Sequence, residues 1–193
     1  VLFEEQMGIA SIIRFNYCIF EGSVSFPNTV FFKEVSFAGS HFERDAVFWP
    51  GPTEFQREVD FSFTNFYRTA DFSYVKFKDN VTFKEAVFRK DGHQQAEFSH
   101  TIFDREVEFV GTIFGGKAVF LGSRFRDIAD FSSNTRFYED AQFDDARFYE
   151  TPWFYDCKFQ GNAEFNHVTF YRDAIFSHSS FNKDFRISGS MAG

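Results

Sequence analysis

The chain has 193 residues, of which 34 are Phe, and it carries a formal net charge of −8. Phe is far more frequent than in ordinary globular domains, where Leu, Ala and Gly dominate, so one architecture must use Phe at a fixed rate. The acidic balance excludes nonspecific nucleic-acid binding, which requires clustered Lys and Arg. No apolar run approaches the roughly 18 residues of a membrane helix, so we expect no membrane insertion by this segment.

Residues 1–14 leave two interpretations open. Phe3, Met7, Ala10 and Ile13 could form one face of a capping helix. Alternatively, Phe3 and Ile9 begin a six-residue spacing that continues to Phe15. The choice matters because an uncapped end of a repeat stack exposes strand edges, through which the chain could self-associate or dock on a partner.

Between residues 15 and 187, Phe recurs at alternating steps of five and six residues. A small or β-branched residue stands two positions before almost every Phe, and Pro152 is the exception. Residues i and i−2 of a strand point to the same side, so each segment places one large and one small side chain inside a tube. Helical faces recur every three or four residues, which disfavours helix. The extra residue of each six-residue step is predicted to lie at a corner, because it is often polar or turn-forming.

The repeats have the form Phe-x-x-Ala-x-Phe, as in Phe83-Lys-Glu-Ala-Val-Phe88 and Phe143-Asp-Asp-Ala-Arg-Phe148. They resemble the repeats of pentapeptide-repeat proteins, particularly the Phe-rich branch of that family. The resemblance implies an all-β fold, a right-handed quadrilateral β-helix with four short faces per coil. The usual period of that family is a uniform five residues, whereas alternating five and six predicts about 22 residues per coil and a less square cross-section.

Four segments per coil give 7 to 8 coils and four ladders of stacked Phe. The predicted structural core includes Phe83, Phe88, Phe109, Phe114, Phe120, Phe125, Phe143 and Phe148, and the third ladder is predicted to end in Ile187. The register holds if corners absorb three insertions: two residues between Phe48 and Phe55, four between Phe88 and Phe98, and one between Phe131 and Phe137. The predicted organisation is an N-terminal coil or capping segment (1–14), the β-helix (15–187) and a polar tail (188–193).

Several aromatic residues lie outside the ladders and crowd the last three coils. Tyr149 and Tyr171 are predicted to stack on the outside, and Trp153 and Tyr155 to project together beside Phe154. Outward aromatic patches often mark contact surfaces, so the candidate partner surface is Tyr138, Tyr149, Trp153, Tyr155 and Tyr171. The alternative is that aromatics simply suit β-strands and stack between coils.

No convergent chemistry is visible in the sequence. His41, His93, His100, His167 and His178 scatter over the threaded coil, and no metal-ligand spacing, serine triad or phosphate loop appears. We therefore predict no catalytic, metal or cofactor-binding residues and no cofactor. Cys18 and Cys157 occupy the same inward position six coils apart and cannot pair within one chain. We interpret them as core residues, and a reducing, cytoplasmic compartment is expected unless flanking segments change it.

The expected function is a non-enzymatic structural or protein–protein interaction module, whose partner is another protein that the sequence does not identify. The family resemblance supplies two alternatives, a DNA mimic that binds DNA gyrase or topoisomerase and the soluble repeat region of a larger membrane-associated or signalling protein. Residues 67–130 hold ten basic and ten acidic side chains, a poor imitation of a uniformly charged duplex. No direct nucleic-acid binding is expected.

Overall fold

The computed structural model describes residues 7–49, 51–89, 95–189 and 191–192. The chain is all-β over these residues, and parallel strands stack in about eight coils of about 22 residues each. Val59, for example, pairs with Val81 in the next coil. The predicted β-solenoid and its coil length are therefore confirmed. Over the same residues no helix is long and apolar enough to cross a membrane.

Four parallel sheets form the sides of the solenoid, which we call faces 1 to 4 in the order in which the chain meets them after residue 10. The strands of face 1 are Ile13–Arg14, Val35–Ser36, Val59–Asp60, Val81–Thr82, Val107–Glu108 and Ala129–Asp130. Those of face 2 are Ile19–Phe20, His41–Phe42, Asn65–Phe66, Val87–Phe88, Ile113–Phe114, Arg136–Phe137, Lys158–Phe159 and Ser180–Phe181.

Faces 3 and 4 complete each coil. The strands of face 3 are Val24–Ser25, Ala46–Val47, Ala70–Asp71, Gln95–Glu97, Lys117–Val119, Ala141–Gln142, Ala163–Glu164 and Phe185–Arg186. Those of face 4 are Met7–Ile9, Thr29–Phe31, Glu54–Phe55, Lys76–Phe77, Ile102–Phe103, Arg124–Phe125, Arg147–Phe148, Thr169–Phe170 and Met191–Ala192.

One Phe ladder runs inside each face, as the spacing predicts. Successive rings are nearly parallel, as in Phe109–Phe131 on face 1, whose centroids lie 4.7 Å apart at an interplanar angle of 9°. Rings of faces 1 and 3 meet edge-to-face across the tube, as Phe109 and Phe120 do at 5.4 Å and 83°. The core therefore combines the two ring geometries that aromatic pairs prefer. All eight Phe named above as core are buried.

The chain enters the solenoid as strands. Met7–Ile9 pairs with Thr29–Phe31 and Ile13–Arg14 pairs with Val35–Ser36, so residues 7–14 follow the coil alternative and not the capping helix. Residues 1–6 lie outside the described part of the chain. At the other end, Met191–Ala192 pairs with Thr169–Phe170, which extends face 4 into the segment predicted as a polar tail.

The third ladder ends differently from the prediction. Ala163 pairs with Phe185, which places Ile187 level with Phe165, yet Ile187 is half exposed. The ring of Phe185 instead lies against Phe165 at 5.7 Å and Phe181 at 4.8 Å. A Phe at a small inward position does not fit inside a coil, but here it closes over the last ring of the stack.

Two kinds of corner alternate around the coil. The five-residue steps, from face 1 to face 2 and from face 3 to face 4, contain all the positive-φ residues of the described chain, usually two residues after the Phe. The six-residue steps are open bends. Of the three predicted insertions, residues 90–94 and Pro50 lie outside the described residues. The third adds Asn134 beside Ser133, and both have positive φ.

Small inward residues divide by face. On faces 2 and 4 most are Thr or Ser whose hydroxyls donate to the Phe carbonyl of the preceding coil, as Thr112 does to Phe83 at 2.8 Å and Thr101 to Phe72 at 2.7 Å. On faces 1 and 3 most are Val or Ala. The hydroxyls sit beside the tight turns, where the Phe carbonyl also accepts a backbone N–H, as Phe83 does from Ala86 at 2.9 Å.

Candidate contact surfaces

Tyr149 and Tyr171 stack outside face 4, as predicted. Their ring centroids lie 4.6 Å apart at 12°, and each Tyr directly follows a face 4 strand, at the bend toward face 1. Tyr171 is 40% exposed, so the stack presents aromatic surface to solvent. Each ring is held in place by the other. Stacked rings of this kind cost little conformational entropy on binding.

Trp153 and Tyr155 lie beyond the next corner, on face 1 and its tight turn. Trp153 is joined to Asp130 and Ile175 only by isolated bridges, and the regular strand pairing of face 1 ends at Ala129–Asp130. Pro152 occupies the small inward position and has no N–H to donate to the ladder. Trp153 is 43% exposed, and Tyr155 contacts His178 edge-to-face at 5.1 Å.

Tyr138 lies at a different corner from the other four candidates. It follows Arg136–Phe137 on face 2, at the bend toward face 3, whereas Tyr149 follows a face 4 strand. The two residues are eleven positions apart, which is half a coil, so they lie on opposite corners of the solenoid. The candidate partner surface therefore divides. We call Tyr149, Trp153, Tyr155 and Tyr171 the aromatic corner and treat Tyr138 separately.

The outward residues that carry a charge mostly alternate in sign from face to face around the solenoid. The outward residue immediately before each ladder Phe is the centre of its face. These centres include Asp60, Glu108 and Asp130 on face 1, Asp71, Glu97 and Glu164 on face 3, Arg136 and Lys158 on face 2, and Lys76, Arg124 and Arg147 on face 4. Arg14, Arg186 and Glu54 are the exceptions, and Glu54 forms an ion pair with Lys78 at 3.0 Å.

The acidic centres have a structural cause. On faces 1 and 3 a tight turn follows, and the side chain accepts the N–H two residues later: Asp60 from Ser62 at 2.8 Å and Asp71 from Ser73 at 2.9 Å. No tight turn follows the centres of faces 2 and 4. Those positions therefore need no acceptor, and Lys and Arg are accommodated there.

A family model described as pentapeptide repeats (9 copies) matches residues 133–180 and 143–191, which overlap. Residues 133–191 therefore carry repeats of the pentapeptide-repeat family. No curated protein and no solved structure matches it. Pentapeptide-repeat solenoids are generally non-catalytic, and the fold supports a structural or interaction module.

The acidic groove on face 1 is the nearest approach to a chemical site on this pentapeptide-repeat solenoid. It has a volume of about 360 Å³ and is lined by Glu34, Glu58, Asp60, Glu106 and Glu108 among others. Burial, reinforced by Glu108, Asp127 and Asp130, raises the pKa of Glu106 above its ordinary value. Across the described residues, no group of three or more His, Cys, Asp or Glu side chains could hold a metal ion.

The described His and Cys residues serve the packing of the coil. His100 stacks on Tyr74 at 4.9 Å, and His167 lies over Gly189, where an added Cβ would come within 2.4 Å of the imidazole Nδ1. His93 lies outside the described residues. Cys157 is buried and its Sγ lies 2.9 Å from the Phe131 carbonyl, and burial raises the pKa of its thiol. Cys18 is half-buried, and both cysteines are free.

The sequence interpretation missed a second aromatic column. The Trp49 and Tyr74 ring centroids lie 4.6 Å apart, and Tyr74 continues onto His100. His100 then lies over Gly122, which has a left-handed φ of +65° and no side chain to displace the ring. Part of the signal was available in the sequence, because Tyr74, His100 and Gly122 each stand two residues after a face 3 Phe.

Proposed function

We propose that this pentapeptide-repeat solenoid is a protein–protein interaction module that binds its partner through the aromatic corner. The observation that carries the proposal is the coincidence of exposed aromatics with the break in face 1 at Pro152. In the regularly paired part of face 1 the centres are all polar, as Asp60 and Thr82 are. At Trp153 a large apolar ring replaces them and is 43% exposed.

The neighbours of Trp153 favour a contact surface. Ile128 is 37% exposed and Ile175 bridges to Trp153 from the next coil. Tyr149 and Tyr171 approach from the adjoining bend, already stacked at 4.6 Å. Aromatic rings that are fixed before binding are typical anchors of protein interfaces. The alternating charge of the faces supports this proposal over a DNA mimic, since a duplex is negative on every side.

The test is a triple substitution, Tyr149→Ser with Trp153→Ser and Tyr171→Ser, in an immobilised protein used to capture partners from the native extract. A matched control carries Tyr17→Ser, Phe63→Ser and Tyr74→Ser, which removes exposed aromatics from other parts of the solenoid. We expect the first variant to lose partners that the control retains, by at least about tenfold in captured amount. Unchanged capture by the first variant would remove the proposal.

A gyrase supercoiling assay addresses the alternative. No inhibition or protection at micromolar protein is expected. Inhibition by the wild-type chain that survives the triple substitution would instead favour the DNA mimic. The interpretation as the repeat region of a larger membrane-associated or signalling protein stays a prediction.

A further inference from the structure

One outward column of side chains, beside the Phe ladder of face 2, contains a gap. The residues that directly follow the face 2 Phe ladder are Tyr67, Arg89, Gly115, Tyr138 and Gln160 on successive coils. The Phe rings behind them repeat at 5.1 Å from Phe88 to Phe114 and 4.9 Å from Phe114 to Phe137. Side chains at this spacing can contact their neighbours, but Gly115 has none. The column is therefore interrupted between Arg89 and Tyr138.

Arg89 is held in position on one side of the gap. Its guanidinium carbon lies 4.5 Å from the centroid of the Tyr67 ring, and Nη2 lies 3.5 Å from Asn65 Oδ1. One face of the guanidinium thus rests on Tyr67. Tyr138 stands on the far side, about 10 Å away by two steps along the stack. It is 41% exposed, so its ring is accessible.

The gap between them is a groove with an apolar floor. It has a volume of about 520 Å³, and its lining includes Val87, Phe88, Ile113 and Gly115. That volume falls within the range of small binding clefts, and the floor excludes water from one side of any group that enters. A planar group would contact the guanidinium on one face and the phenol on the other.

The opposite corner shows that aromatic rings fit this position. Tyr149 and Tyr171 also follow ladder Phe residues on adjacent coils, at the bend after face 4, and they stack at 4.6 Å and 12°. A ring placed at the level of Gly115 would meet Tyr138 in the same way. Its second face would meet Arg89 in a cation–π contact of the kind that Arg89 already makes with Tyr67.

We propose that the gap at Gly115 is a binding site for an aromatic side chain of an acidic protein segment. The basic side chains of face 2 beyond the gap favour a segment that carries carboxylates. Arg136 and Lys158 are the centres of face 2 on the next two coils, about 5 and 10 Å beyond the gap along the axis. An extended peptide advances about 3.3 Å per residue and its side chains alternate in direction, so carboxylates two and four residues after the aromatic would lie on its side and reach them.

The site is independent of the aromatic corner, which lies on the other side of the solenoid. The adjoining groove on the other side of Tyr138 mixes Lys117 and Lys183 with Glu139 and Asp140, so basic side chains do not line this corner continuously as a nucleic-acid strand requires, whereas a segment with two carboxylates requires only Arg136 and Lys158. A polyphosphate chain along this corner would pass close to those carboxylates.

The test uses the capped peptide Ala-Trp-Gly-Glu-Ala-Glu carrying a fluorescent label, titrated with the purified protein while anisotropy is followed at low and moderate salt. We expect saturable binding that weakens with salt. Tyr138→Ala should weaken it about tenfold, and Gly115→Phe, which fills the gap from within, should weaken it at least as much. Arg136→Gln with Lys158→Gln should weaken it several-fold and flatten its salt dependence.

Tyr17→Ala is the matched control, because it removes an exposed Tyr from a coil that contributes to neither proposed site and should leave binding unchanged. A peptide with Ala in place of Trp should not bind. Melting curves establish that each variant is folded. No binding at millimolar peptide, or binding that is unaffected by Tyr138→Ala, overturns the proposal. Tighter binding of an eight-residue oligothymidylate that is lost in Tyr138→Ala also overturns it, in favour of a nucleic-acid site.

Discussion

Faces 1 and 3 differ from faces 2 and 4 in the residues that surround the Phe ladder, although each face has one such ladder. On faces 1 and 3 the small inward residue is apolar and the outward centres that carry a charge are mostly acidic. On faces 2 and 4 the inward residue often carries a hydroxyl, and the centres that carry a charge are mostly basic. The cause is the direction in which the chain meets its tight turns. A face before a tight turn supplies an acceptor from its outer side chain, and a face after it supplies a donor from its inner side chain.

This division explains how a chain with a net charge of −8 carries basic side chains at the centres of faces 2 and 4. The carboxylates of Asp60 and Asp71 are used by the turns that follow them. The inward hydroxyl of Thr112 is used by a carbonyl of the preceding coil, at 2.8 Å. Function is therefore expected where a face departs from its rule, as at Trp153 on face 1 and at Gly115 after face 2.

Removing a ring from a Phe ladder should cost the same free energy of unfolding on either pair of faces. Phe109→Ala on face 1 and Phe114→Ala on face 2 each remove a fully buried ring from the middle of a stack. We expect each to lower the free energy of unfolding by about 3–5 kcal/mol, because a cavity remains between rings that cannot close the gap. Chemical denaturation measures this. A cost that differs between the two faces by more than about 2 kcal/mol would mean that the ladders are not equivalent.

Exchanging the small inward residues should reveal the division directly. Val107→Thr puts a hydroxyl into face 1 and should cost about 1–3 kcal/mol, because it buries a donor without a partner. Thr112→Val on face 2 removes one hydrogen bond and should cost only about 0.5–1.5 kcal/mol, since the Phe83 carbonyl keeps the N–H of Ala86. The same denaturation series compares them. Equal costs would show that the two inward positions are interchangeable.

Much of the fold could be predicted because the Phe spacing alone determines the coil. The ladder positions, the three insertions and the Tyr149–Tyr171 stack follow from counting residues. The division between the faces was also in the sequence, as Thr at 64 and 112 against Val at 59 and 107. The division is not apparent when all small residues are treated as one class. The interior of the coil requires only a small volume at these positions, whereas the tight turn also requires a hydrogen-bond donor.

The surface could be predicted less well, because its neighbours depend on the corners. Tyr138 and Tyr149 are close in sequence, yet half a coil separates them. The stack of Trp49 on Tyr74 joins positions one and two residues after their respective Phe, which a strict period does not align. Phe185 is a further case: a large residue at a small position is tolerated only where no coil ring stands in its way.

The smallest expected effect concerns the crowded carboxylates of face 1. Burial and neighbouring carboxylates raise the pKa of Glu106, so its proton is held more tightly in the folded chain than in the unfolded one. A raised carboxyl pKa stabilises the fold at acid pH, and that stabilisation is lost as pH rises through the folded value. Glu106→Gln should therefore be slightly more stable than the wild type at neutral pH, and the difference should vanish in acid.

Asn80→Asp supplies the reciprocal variant. Asn80 lines the same groove, and a carboxylate there adds to the repulsion that Glu106 already experiences. Melting temperatures measured from neutral to acid pH should show this variant destabilised at neutral pH and recovering in acid, opposite to Glu106→Gln. If both variants instead follow the wild type at every pH, the acidic face carries no electrostatic cost. The alternation of charge would then reflect the turn acceptors alone.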